Sequence, residues 1–225
     1  MIVTMHQPNY LPYLGFFHKA AHAELFVSYD IAQFTRRDFH NRNKVKTSAG
    51  ATWMTVPVKK AWRSPIKDIE IENSRDWGQH HLNTLKSCYY HAPYFKDYLP
   101  YFEDIYSRRW EKLVDLNEEI IRHFLKILFS QDKIISARDL DVPDGLDPTE
   151  RITWIMRAVG ASTFISGSFG REYLDEGRFT DVKLVYQDFH HPTYDQQYPG
   201  FIPNLSFIDC LLNMGEDWLR KKLRE

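Results

Sequence analysis

His6, Gln7, Asn9 and Tyr10 crowd one short turn, between an apolar run ending at Met5 and a helical pattern opening near Tyr13. An imidazole in that position can hold a phosphate oxygen or move a proton near neutral pH. Pro8 and Pro12 stiffen the turn, so its polar groups have little conformational freedom left to lose. In α/β proteins ligands bind where a strand ends and a helix begins, because strand carboxyl ends and helix amino ends converge there. The structural alternative is that His6 and Asn9 satisfy backbone groups of a proline turn.

Three further groups carry possible chemistry. Asp30 closes the second apolar run and is expected to face the same crevice as His6, where a carboxylate can orient a hydroxyl or amine. Downstream lie Arg36, Asn41, Arg42, Asn43 and Lys44, and a guanidinium fork next to amides and an ammonium suits an anionic, phosphate-bearing ligand. A solvated charged loop is the alternative. Gly167 and Ser168 follow a late strand pattern, with Arg171 three residues on, so backbone N–H groups can approach an anion there. The pattern matches neither a P-loop nor the dinucleotide fingerprint, and a plain turn capped by Ser168 explains it equally well. Finally, His191, Tyr194 and Gln196 belong to a proline-rich loop and are candidates to line a substrate pocket. Ser206 and Asp209 read as a helix cap. A zinc site from His80, His81, His190 and His191 lacks the usual i, i+4 pair, so no metal ligand set is expected.

The elements that must position these groups alternate at both ends of the chain. Met1 to Met5 reads as a strand, Tyr13 to Ala23 as a helix and Leu25 to Tyr29 as a second strand, a βαβ unit with parallel strands. Ile31 to Lys60 is extended and polar, with strands expected at Trp53 to Val58 and Ile66 to Ile71. Helices are expected over Trp77 to Tyr90, Tyr94 to Arg109 (broken near Pro100) and Trp110 to Phe129. Lys133 to Ser136, Thr163 to Ser166 and Val182 to Gln187 read as strands. Asp147-Pro148-Thr149-Glu150 opens a helix to about Val159, Arg171 to Glu176 a short one, and Ser206 to Leu223 the last. The expectation is an α/β fold, with a parallel sheet of about five strands as core. One domain is expected over 1–225: a core of 1–30 and 132–225, with a mixed β and helical insertion at 31–131 covering the carboxyl edge of the sheet.

Composition narrows the partners. Lys and Arg total 29 against 30 Asp and Glu, so no overall basic field recruits nucleic acid. Cys88 and Cys210 form no CxxC pair and read as reduced, partly buried thiols. No apolar stretch is long enough to span a bilayer and no secretory signal is evident, so a cytoplasmic protein without a membrane partner is expected. Trp53, Trp62, Trp77, Tyr89, Tyr90 and Tyr94 read mostly as core, with a stacking platform for sugars or bases as the other possibility.

His6-Gln7-Pro8-Asn9-Tyr10-Leu11-Pro12, Asn41-Arg42-Asn43, Thr55-Val56-Pro57-Val58, Ser166-Gly167 with Gly170-Arg171-x-Tyr173-Leu174, His191-Pro192-x-Tyr194-x-Gln196 and Pro203 to Asp209 spread over nearly the whole chain. Together they resemble the WbqC-like protein family, a bacterial family often encoded near genes for surface polysaccharide or amino-sugar assembly. The first βαβ unit is more distantly similar to the nucleotide-binding domains of nucleotidylyltransferases and pantothenate synthetase. That similarity implies a HUP/Rossmann-like core, with Ser166-Gly167-Ser168 in the place of a second phosphate loop. Those enzymes carry His-x-Gly-His at the helix start, whereas Tyr13-Leu14-Gly15-Phe16 stands here. The resemblances imply a transferase or amide-forming ligase acting on an amino sugar or related amine, with ATP or another nucleotide and Mg as cofactor. A homodimer is an open expectation. The alternatives are a metal-assisted hydrolase, a carrier-dependent acyltransferase, and a non-catalytic accessory protein of glycan assembly.

Overall fold

The computed structural model describes residues 1–59, 63–131 and 133–225. The end of the polar stretch at Lys60, and Trp62 of the aromatic group, fall outside the described residues. At the centre stands a parallel sheet of five strands: β1 (Ile2–His6), β2 (Leu25–Ser28), β5 (Ile134–Ser136), β6 (Thr163–Ser166) and β7 (Lys183–Tyr186). Their order across the sheet is β5-β2-β1-β6-β7. Val3 and Met5 pack to one face of β1, while Phe26 of β2 packs to the other, so both faces are covered. The expected α/β class with a Rossmann-like core is what the chain adopts.

One face carries α5 (Pro148–Ala158), whose Ile152, Ile155 and Met156 meet Val3, Met5 and Val27. Its start follows the sequence signature: Asp147 accepts from the N–H groups of Thr149 and Glu150, Glu150 reaches back, and Pro148 occupies the first turn. The other face carries α1 (Leu14–Ala21), α4 (Leu113–Phe129) and α6 (Phe207–Lys222). Between β2 and β5 the chain adds a hairpin of β3 (Arg42–Thr47) with β4 (Gly50–Thr55), then α2 (Trp77–Tyr89) and α3 (Phe95–Ser107). Val45, Met54, Leu85, Phe102 and Phe124 from this stretch join Phe16, Phe17 and Leu211 in one continuous apolar cluster.

Several elements depart from the sequence pattern for identifiable reasons. Ile66 to Ile71 is not a strand: Pro65 opens a single tight turn over Ile66–Asp68, and only the isolated bridge of Ile71 to Val58 is extended pairing. Arg171 to Glu176 is likewise replaced by the single-turn segments Ser168–Glu172 and Glu176–Arg178. Pro100 does not break α3, because Pro100 and Lys96, whose carbonyl loses its partner, both face solvent. The last helix does break, at Gly215, whose φ of +79° favours glycine and whose missing Cβ makes room for the Tyr94 ring.

Candidate functional site

From β1 the chain runs outward in one direction, through β2 to β5, and then crosses over to β6 and β7 on the other side. The reversal point is therefore between β1 and β6, where the crossovers leave a crevice beyond the strand ends. Thr4 pairs with Ile165 and Ser166 with Tyr186, so His6, Gly167 and Gln187 emerge along one edge. There a cavity of about 290 Å³ opens, lined among others by His6, Gln7, Lys19, Gly167, Ser168 and Gln187. Tyr13, Tyr29, Phe169, Gly170 and Tyr173 complete much of its wall.

The ionisable groups of this wall are an ammonium, an imidazole and phenols. Among the described residues, no Asp or Glu lines the cavity. Lys19 is 3% exposed, and its Nζ donates to the Met5 carbonyl at 2.8 Å. Burial pushes its ammonium down to about 7, so it gains or loses a proton easily near neutrality. A Cβ placed on Gly167 would sit 3.9 Å from Lys19 Nζ, which puts the ammonium beside that backbone.

His6 is half-buried, and its ring meets Phe16 edge-on at 4.9 Å. Its Nδ1–H donates to the Gln7 carbonyl at 2.9 Å, which leaves Nε2 as an acceptor in the neutral ring. Burial, then the neighbouring Lys19 charge, lowers its pKa to about 3. The imidazole is thus neutral in the free protein, and Lys19 is the cation of the cavity floor. Gln7 is fixed in turn: its Oε1 accepts from His40 Nε2 at 2.8 Å, while His40 Nδ1 accepts from the Thr35 N–H at 3.2 Å. That leaves the Gln7 amide NH2 as the donor of this side chain.

The turn after β6 is held rigidly. Gly170 N–H donates to the Gly167 carbonyl at 2.9 Å, and Leu174 N–H to that of Gly170 at 2.9 Å. A Cβ on Gly170 would lie 2.2 Å from Ser166 Oγ, so only glycine lets this turn sit down on the strand end. Gln187 closes the far side, donating from Nε2 to the Gly15 carbonyl at 2.7 Å and to His18 Nδ1 at 2.9 Å.

The sequence model of the WbqC-like protein family matches residues 7–221. The chain belongs to that family. It is 31% identical to the uncharacterized protein Rv1507c of Mycobacterium tuberculosis, over 97% of each chain. No solved structure matches it. No helix among the described residues of this WbqC-like chain is long and apolar enough to cross a membrane.

The structure brings His6, Gln7, Gly167 and Ser168 onto one wall and places the other sequence candidates elsewhere. Asn9 is buried away from the cavity lining. Tyr10 lies in the core, accepting from Tyr106 O–H at 2.6 Å and donating to His81 Nδ1 at 2.8 Å. Asp30 is fully buried against Arg138, whose Nη1 donates to it at 2.7 Å and whose Nη2 donates to Glu118 at 3.0 Å. Burial raises the Asp30 pKa while Arg138 opposes the shift. Asn41 ties the segment just after β4, donating from Nδ2 to the Val56 carbonyl at 2.8 Å. Arg36 is exposed on its loop, and Arg42 and Lys44 lie over the Trp53 ring at 4.0 and 4.9 Å. Arg171 covers the Tyr186 ring at 4.2 Å. His191 donates to its own loop at the Pro192 carbonyl, at 2.8 Å. Tyr194 O–H and Gln196 Nε2 both donate to Asp209, each at 2.9 Å.

Lys19 and Gln187 are the wall residues that motif reading passes over. Lys19 falls three residues after Phe16, on the stripe of α1 that also buries Ala20. A charge on an apolar stripe is the signal that identifies it.

Proposed function

We propose that this protein is a nucleotide-dependent transferase or amide-forming ligase that acts on the amine of an amino sugar or a related small molecule. One observation carries the reading: the cavity at the strand-order reversal holds a buried lysine and fixed amide donors, with no carboxylate of the described residues on its wall. A lone buried ammonium is costly unless an anion joins it, so the cavity favours a phosphate-bearing ligand.

Lys19 meets the phosphate charge, with the Gln7 amide NH2 and the backbone at Gly167 and Ser168 as neutral donors. A bound anion draws the Lys19 pKa upward and fixes its proton. His6 takes a different part: its free Nε2 accepts a hydrogen bond from the incoming amine and aligns that lone pair with the activated group. An ATP or other nucleotide, with Mg, would supply the activated group; these donors fit its phosphates, and carboxylates for a resident metal are not on the wall. Asp30, held by Arg138, supports the sheet edge from behind.

Calorimetric titration with ATP, UTP, a nucleotide-sugar and inorganic triphosphate, each with Mg, tests the reading. Binding heat is expected with phosphate-bearing ligands and is expected to vanish in Lys19→Met. Absence of heat with all four in the unmodified chain would remove the nucleotide.

A further inference from the structure

The cavity floor and its rim differ in chemistry. The floor is polar: Lys19, His6, Gln7 and Ser166. The rim carries Phe169, 75% exposed, and Tyr173, 57% exposed, at the two ends of the single turn that Gly170 seats on the strand. Tyr90 is as exposed as Tyr173, but Phe169 and Tyr173 both belong to the wall of the cavity. Their backbone is held through Gly170, so their exposure is a fixed property of the turn.

Size supplies the second argument. About 290 Å³ lies at the bottom of the range in which ligand pockets bury whole drug-sized molecules, roughly 300–1,000 Å³. The hollow accommodates a phosphate chain and little more, so the rest of a larger ligand must lie across the rim. A pyranose there would need several acceptors for its hydroxyls; Glu172 of the same turn is exposed but does not line the cavity, and no carboxylate among the described residues does. A nucleobase needs only a flat apolar partner for its π-face.

We propose that Phe169 and Tyr173 form a base-stacking subsite, so that the ligand of this cavity is a nucleoside polyphosphate with its phosphates on the floor and its base on the rim. The assignment rests on the nucleotide reading of the cavity and adds the place of the base and the residues that hold it. Stacking reads the base face and not its hydrogen-bonding edge, so all four nucleotides are expected to bind within a narrow range, purines ahead of pyrimidines.

The test compares ATP, GTP, UTP, CTP, inorganic triphosphate and glucosamine 1-phosphate by calorimetry on the full chain, in wild type, Phe169→Ala, Tyr173→Ala and Lys19→Met. Both aromatic side chains are exposed, so neither substitution should disturb folding, and matching thermal melts verify that. The expected result is a loss of about tenfold or more in nucleotide affinity in Phe169→Ala. Inorganic triphosphate affinity should stay unchanged there, and all binding should be lost in Lys19→Met. Nucleotide affinity indifferent to both aromatic substitutions, or glucosamine 1-phosphate showing the aromatic dependence instead, overturns the base subsite while leaving the anion floor standing. Failure of triphosphate and every nucleotide to bind wild type overturns floor and rim together.

Discussion

Among the described residues two lysines are almost wholly buried, and their surroundings differ. Lys46 is 1% exposed, and its Nζ donates to Gln196 Oε1 at 3.0 Å and to the carbonyls of Tyr198 and Gly200. The Asp209 carboxylate nearby collects Tyr89, Tyr194 and Gln196, so the cation sits in a closed network that binds the 190–204 loop to β3 and α6. Lys19 is 3% exposed and has the Met5 carbonyl on one side and a hollow on the other. A buried charge surrounded by acceptors holds the fold together. A buried charge with one of its three donors used is kept for something that arrives.

The largest effect expected from breaking this contrast is on the closed side. Lys46→Met strands three acceptors and unbalances Asp209, which should cost about 3–5 kcal/mol of stability in urea unfolding. Lys19→Met strands one carbonyl but removes an unpaired buried charge, so at pH 7 it should cost no more than about 1 kcal/mol of stability. Equal destabilisation by the two would erase the distinction.

Acid sharpens it next. Burial holds His6 near 3 and both His18 and His81 near 4, below the unfolded value of 6.5. Between pH 4 and 6.5 these rings are neutral when folded and charged when unfolded, so the unfolded state binds more protons and stability falls as pH falls. Three such groups give a slope approaching about 4 kcal/mol per pH unit at full difference. Urea midpoints at pH 6.5, 5.5 and 4.5 measure it, with the raised carboxyls of Asp30, Glu118 and Asp209 acting in the opposite sense, and stability that rises toward acid would mean that the imidazoles are not held neutral.

The sheet was legible because β1, β2, β6 and β7 are short apolar runs ending at polar turns, and the helices because of their spacing and of caps such as Asp147. Strand β3 was hidden: Asn43 and Lys46 are polar yet buried, so Arg42–Thr47 carries no alternation that hydrophobicity alone can reveal. At the site, His6 and Gly167 could be placed on one edge from strand order alone. Asp30 could not, because its partner Arg138 follows β5, and the sequence does not say that β5 pairs with β2. Tyr194 and Gln196 looked free until Asp209, read as a helix cap, was found to receive them. Lys19 was overlooked because a lysine in a helix is ordinarily solvated.

On the open side, Lys19 itself should titrate in the stability curve. Its folded pKa near 7 lies below the usual 10.5, so above pH 7 the unfolded chain holds a proton that the folded one has shed. The Lys19 contribution to stability should therefore rise with pH by up to about 1.4 kcal/mol per unit, against the opposite trend of the raised Cys88 and Cys210 thiols that both proteins share, and Lys19→Met should remove that contribution. Urea titrations between pH 7.5 and 9, below the range of tyrosine ionisation, compare the two slopes. Unchanged slope in the variant would show that the ammonium keeps its proton without a ligand.

The smallest effect belongs to cations that are neither enclosed nor facing the cavity. Arg42 and Lys44 lie on Trp53, itself 40% exposed, at the outer side of the β3–β4 hairpin. An exposed cation–π contact is worth about 0.5–1 kcal/mol, so Lys44→Ala should shift stability by less than 1 kcal/mol. Neither residue lines the cavity, so triphosphate affinity in Lys44→Ala should match wild type within about twofold at moderate salt, where exposed charges are screened. A tenfold loss would instead draw the hairpin into the ligand site, and with it the anion-clamping role that the Asn-Arg-Asn-Lys run suggests. The contrast would then lie among three lysines, with charge on the hairpin adding to the one at the cavity floor.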